Sequence, residues 1–124
     1  MKKLFLTSSG LSAFPDFVSE NHKTVHIAFI PTAADLYTNK WFVKKDREFL
    51  VNYGYNVTEV DIKDRNQHKI LHSSDVIYIA GGNTFYLLEM AIQTNALEFL
   101  KDLVQGGKPY AGASAGAVFR GTIN

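Results

Sequence analysis

The sequence predicts a three-layer α/β fold built on a mainly parallel sheet, and two observations point there. Short apolar runs alternate with longer segments of helical periodicity, the order that strand-helix-strand units produce. Several of the runs are apolar almost throughout, as strands covered on both faces are.

Taken in order, Lys3 to Thr7 reads as the first strand. Its apolar run breaks at Thr7-Ser8-Ser9-Gly10 and is too short for the hydrophobic region of a secretion signal. A helix is indicated around Pro15 to Asn21, and Val25 to Ile30 is the second strand. Asp35 to Tyr53 places Phe42, Phe49, Leu50 and Tyr53 on one helical face, with Lys44, Lys45 and Arg47 largely elsewhere. Gly54 is a natural stop for that helix. Asn56 to Val60 is the third strand, Asp64 to Ser74 is ambiguous, and Val76 to Ala80 is the fourth strand. Asn83 is a candidate N-cap for a helix over Thr84 to Ile92. Leu97, Leu100, Leu103 and Val104 line another helix, where Asn95 and Glu98 have capping-box spacing and Gly106-Gly107 closes the element. Pro109 to Ala113 is the fifth strand, with Pro109 confined to its entry because it has no N–H to donate.

The chain of 124 residues is read as one α/β domain over 1–124. Its 46% hydrophobic and 20% charged residues are ordinary for a globular protein. A formal net charge of +1 gives no strong pull toward nucleic acid or a membrane surface. No stretch approaches the length of a membrane span. Cysteine is absent, which excludes disulfides, a thiolate nucleophile and cysteine metal sites. The default location is the cytoplasm.

In open parallel sheets the site lies outside the carboxyl ends of the strands. Three loops there stand out: Thr7-Ser8-Ser9-Gly10, Gly81-Gly82-Asn83 and Gly112-Ala113-Ser114-Ala115-Gly116. The third is a G-x-S-x-G match between an apolar strand and a helix-compatible segment. That is the sequence form of a nucleophile elbow, in which Ser114 Oγ projects above the sheet and the Ala115 N–H points to the same spot. The competing reading is a small-residue turn that permits close helix-sheet packing. Gly81-Gly82-Asn83 ends a buried strand and precedes a helix, so its N–H groups suit an anion; a plain turn or cap is the alternative. Beside Ser114, the Gly82 N–H would join that of Ala115 around an oxyanion.

His22, His26, His68 and His72 all precede the serine, and no His, Asp or Glu follows it. His26 alternates with Val25 and Ile27, which favours a packed or edge position. His68 and His72 have i, i+4 spacing without a third ligand, so no metal site is expected.

Ala80-Gly81-Gly82-Asn83-Thr84-Phe85 together with Gly112-Ala113-Ser114-Ala115-Gly116-Ala117 resembles the dipeptidase E and cyanophycinase family of serine peptidases, and Ile30-Pro31-Thr32-Ala33 agrees with it. The resemblance covers essentially the whole chain, in the family's order. It implies a flavodoxin-like, class I glutamine amidotransferase-like sandwich with Ser114 as nucleophile. It places Gly82 and Ala115 at the oxyanion hole and Gly81 and Asn83 at the substrate. It implies hydrolysis of small peptides, those with N-terminal aspartate in dipeptidase E-like members and β-linked aspartyl-arginine units in cyanophycinases. Neither a metal nor an organic cofactor is needed. Arg120 is the nearest cation after the serine, as a substrate contact or a surface arginine.

The family's catalytic histidine and acid lie beyond its serine. The expectation is therefore the N-terminal part of a longer peptidase domain, cut short by truncation, proteolysis or gene disruption. Such a piece is expected to be inactive alone and to leave part of the sheet or a helix-docking face uncovered, favouring homo-oligomers. The runner-up is a non-catalytic domain of the same fold that binds a small anion or carboxylate. A nucleotide-binding module is disfavoured, since neither G-x-G-x-x-G nor a Walker A pattern occurs.

Overall fold

The five apolar runs become five parallel strands. The computed structural model describes residues 4–7, 11, 14–18, 24–113 and 115–123. The strands are β1 (Leu4–Thr7), β2 (His26–Ile30), β3 (Asn56–Glu59), β4 (Val76–Ile79) and β5 (Tyr110–Ala113). Their order across the sheet is β1-β5-β4-β2-β3, with every pairing parallel. Counted from β2, this is the flavodoxin-like order 2-1-3-4-5, with β1 filling the fifth place.

Side-chain alternation divides the core between two faces. Ile27, Phe29, Val76, Tyr78 and Ala111 pack with Phe14 and Val18 of α1 (Phe14–Val18) and with Val43 and Leu50 of α2 (Trp41–Tyr53). Ala28, Ile30, Ile77, Ile79 and Tyr110 pack on the other face. Their partners there come from α3 (His68–Ser73), α4 (Thr84–Gln93), α5 (Ala96–Gln105) and α6 (Ala115–Ile123). The interior strands β2 and β4 contribute to both clusters, which is why they read as nearly unbroken apolar runs. Among the described residues no helix is long and apolar enough to cross a membrane.

Local chemistry explains most element ends. Gly54 ends α2 with φ 112° and returns its N–H to Leu50 and Val51. Asn83 opens α4 by accepting the Tyr86 N–H on Oδ1 at 3.0 Å.

Several expectations are corrected. The predicted helix from Asp35 begins only at Trp41, because Thr32–Ala34 forms a 3-10 turn and Asn39 Oδ1 takes the Trp41 N–H. On that helix Tyr53 is 45% exposed and Val43 is buried in its place. The capping box at Asn95 is not realised: Asn95 sits at φ 64° and makes no side-chain cap, since it closes the tight turn between α4 and α5. The helix expected over Pro15 to Asn21 runs Phe14–Val18, and the residues after Val18 up to position 23 lie outside the described set. Asp64 to Ser74 resolves into a 3-10 turn and α3, the turn opened by Asp64 accepting the Asn66 N–H.

Candidate active site

The loops that follow β2, β4 and β5 leave the same edge of the sheet, because these strands are neighbours and parallel. Strand order reverses between β2 and β4: α2 follows β2 on one face and α4 follows β4 on the other. This is the topological switch point, where open α/β sheets form their ligand crevice.

The loops after β2 and β4 touch. Asn83 donates its N–H to the Ala33 carbonyl at 2.7 Å. Gly82 takes φ 148°, and a Cβ there would lie 2.2 Å from the Ala33 oxygen. Only glycine fits, for both reasons. The glycine pair thus brings its backbone against the β2 exit, while Asn83 is spent as an N-cap.

At the β5 exit the strand and helix bounds fall where the sequence predicts them. The strand ends at Ala113 and the helix begins at Ala115, with one residue between them. That residue, Ser114, lies outside the described set. Gly112 pairs with Ile79 of β4, and a Cβ on Gly116 would come 2.3 Å from the Ile79 carbonyl oxygen. The first turn of α6 therefore rests on the last residue of β4, two residues before Gly81. Gly116 thus serves the close helix-sheet packing that the competing reading of the motif expects. The Tyr110 hydroxyl donates to the Gly116 carbonyl at 2.6 Å and ties that first turn to the start of β5.

The described histidines are not gathered here. His26 is exposed at the first residue of β2, the far end of the sheet. His68 is buried, its Nε2 2.8 Å from the Ile62 carbonyl. His72 sits in the last turn of α3, with its carbonyl accepting from Lys108 Nζ. Among the described residues no group of three or more His, Asp or Glu side chains is arranged to hold a metal ion. Arg120 is not a surface arginine: it is 7% exposed, and its Nε has no hydrogen-bond partner among the described residues.

Side chains that sequence reading did not single out also converge on this edge. Thr32 Oγ1 accepts the Ile62 N–H at 3.3 Å, and Lys63 Nζ lies 2.5 Å from Asp35 Oδ2. The carboxylate of Asp35 pushes the Lys63 ammonium above its usual range. No local spacing announces such pairs, because their partners come from different loops.

A sequence profile described as peptidase family S51 matches residues 4–123. The chain belongs to peptidase family S51. An uncharacterized peptidase of Pasteurella multocida (strain Pm70) is 36% identical to this S51 chain over 123 residues, covering 95% of the chain and 59% of the relative. Peptidase E of Haemophilus influenzae (strain ATCC 51907) is 35% identical over 96 residues, 77% of the chain and 44% of that protein. A 1.5 Å crystal structure of a Listeria monocytogenes EGD-e protein, described as a candidate peptidase E, superposes with TM-score 0.86 at 36% identity. It matches 95% of the S51 chain and 61% of its own length. The chain thus spans about three-fifths of the relatives that it matches end to end.

Proposed function

We propose that the S51 chain carries the nucleophile and oxyanion half of a serine peptidase acting on short peptides with N-terminal aspartate. Ser114 Oγ would attack the scissile carbonyl, the amides of Gly82 and Ala115 would hold the oxyanion, and water would release the acyl group. Gly81 and Asn83 would shape the substrate side of the same loop. The observation that supports the reading is the β4–β5 pairing: β5, which ends one residue before α6, is the parallel neighbour of β4, whose exit carries the glycine turn. Family membership supports the reaction type, and the resemblance to dipeptidase E supports the aspartyl substrate.

The proton acceptor is assigned to residues outside this sequence, within the part of the relatives' length that the chain does not span. The positions of His26, His68 and His72 support that assignment. Residues 1–124 then form part of a larger peptidase domain in the cytoplasm and show little turnover alone, with self-association through surfaces that the rest of the domain would cover.

The test supplies the base from solution. Hydrolysis of an aspartyl 4-nitroanilide by residues 1–124 is measured with and without imidazole, against Ser114→Ala. Imidazole-dependent turnover that disappears in Ser114→Ala is expected. Equal rates in the two chains would overturn the nucleophile assignment and leave a non-catalytic carboxylate-binding domain. Strong Ser114-dependent turnover without imidazole would place the base inside this segment or on a neighbouring copy.

A further inference from the structure

We propose that the Asp35–Lys63 ion pair positions the Gly82 loop, and through it the amide assigned to the oxyanion. The functional half rests on that assignment; the mechanical half stands on contacts alone.

Gly82 has no side chain of its own to fix it. Its α-carbon lies so close to the β2 exit that an added Cβ would meet the Ala33 oxygen at 2.2 Å and the Ala34 nitrogen at 2.6 Å. The next residue, Asn83, donates to that same Ala33 oxygen. Where the Thr32–Ala34 turn sits, Gly82 must sit.

Ala33 and Ala34 of that turn pack in the two core clusters, but its hydrogen bonds are few. Its own bonds are Ala34 N–H to Pro31 and Asp35 N–H to Thr32, both at 3.0 Å, continued by Tyr37 N–H to Ala34 at 2.9 Å. A single 3-10 turn is not self-supporting. Two side-chain anchors bind it to the segment after β3. One is the 3.3 Å bond from the Ile62 N–H to Thr32 Oγ1, near the outer limit for a hydrogen bond. The other is the contact from Asp35 to Lys63. Asp35 Oδ2 is shut off from solvent, and Lys63 meets it as an ion pair without a well-angled hydrogen bond. A carboxylate oxygen removed from water needs a cation beside it.

The far side of the clamp is firm. Val60 donates to Phe29 at 2.8 Å, the buried Ile62 offers its carbonyl to His68, and the Asp61 N–H bonds Gln67 Oε1 at 2.8 Å. Lys63 is itself held by its N–H on Asp61 Oδ1. The β3 exit therefore acts as an abutment, the β2 exit is pinned to it by charge, and the Gly82 loop leans on the β2 exit.

The test is amide hydrogen exchange by NMR on residues 1–124, comparing wild type with Lys63→Met, Asp35→Asn and Lys63→Arg. The Asn83 amide reports the loop, and the Ala80 amide, bonded to Ile30 at 3.0 Å, reports the sheet. Exchange at Asn83 is expected to rise roughly threefold to tenfold in the Met and Asn variants, with Ala80 unchanged and Lys63→Arg close to wild type. Unchanged exchange at Asn83, or equal acceleration at Asn83 and Ala80, overturns the proposal. Imidazole-dependent turnover separates the functional half: Lys63→Met is expected to lower kcat and leave KM. Loosened exchange with unchanged kcat would keep the clamp and remove Gly82 from the oxyanion role. If Ser114→Ala already matches wild type, the nucleophile reading fails and exchange still decides the clamp.

Discussion

The Tyr110 hydroxyl donates to the Gly116 carbonyl at 2.6 Å, joining the first residue of β5 to the first turn of α6 across the position of Ser114. Tyr110 is fully buried, and burial pushes its phenol far above the usual range, so the donor stays protonated. Tyr110→Phe removes this donor at no change of shape. We expect a loss of about 1 kcal/mol, or roughly 3–5 °C in Tm. Thermal unfolding checks this, and an unchanged Tm would show that the bond adds nothing to the junction.

Three glycines predict two opposite outcomes. Gly116→Ala drives a methyl into the Ile79 carbonyl and should cost about 1–3 kcal/mol. Gly82→Ala meets Ala33 and a left-handed φ together, with a similar cost of about 1–3 kcal/mol. Gly121, also in α6, faces open space, so Gly121→Ala should stabilise by about 0.5–1 kcal/mol through helix propensity. Urea midpoints for the three variants give the order directly.

The fold was legible wherever local pattern and burial agree. Val76–Ile79 and His26–Ile30 are interior strands covered on both faces, so their apolar runs survive in the sequence. Asn83 and Gly54 announce helix ends because a cap uses only neighbouring atoms. The late start of α2 was missed because the 3-10 turn over Thr32–Ala34 and the Asn39 cap on Trp41 leave no trace in the apolar periodicity. Asn95 carries a capping residue type but spends its backbone on the left-handed turn between two helices. At the candidate site, the motif residues Gly82 and Gly116 were readable, whereas Thr32, Asp35 and Lys63 act only through the meeting of separate loops.

Asp46 supplies the pH dependence. Burial raises its carboxyl above the ordinary 3.8, with the Tyr78 hydroxyl donating at 2.8 Å in partial compensation. A raised acid binds its proton in the folded chain before the unfolded one. Its charge therefore costs stability above the folded pKa, and the cost is relieved as pH falls through that value toward 3.8. Asp46→Asn keeps an acceptor for Tyr78 and should equal or exceed wild-type stability near neutral pH. The difference should shrink as pH drops into the acid range, which denaturant unfolding at several pH values measures.

Arg120 is a buried cation whose Nε has no hydrogen-bond partner among the described residues. Replacing a buried cation that leaves its Nε unbonded by an apolar chain of similar length relieves that desolvation. Arg120→Met should raise the urea midpoint of residues 1–124; a lowered midpoint would show that the guanidinium stabilises this segment.

The most direct test of the account is the distance from the Gly82 amide nitrogen to Ser114 Oγ in a crystal structure of this protein. An oxyanion bonded to the attacked carbon must lie about 2.7–3.1 Å from its donors, which places nitrogen and Oγ within about 5 Å of each other. A separation in that range, with Oγ above the sheet, is the predicted result. A separation beyond about 7 Å, or an Oγ turned into the core, would reduce the glycine pair to a turn and contradict the shared site.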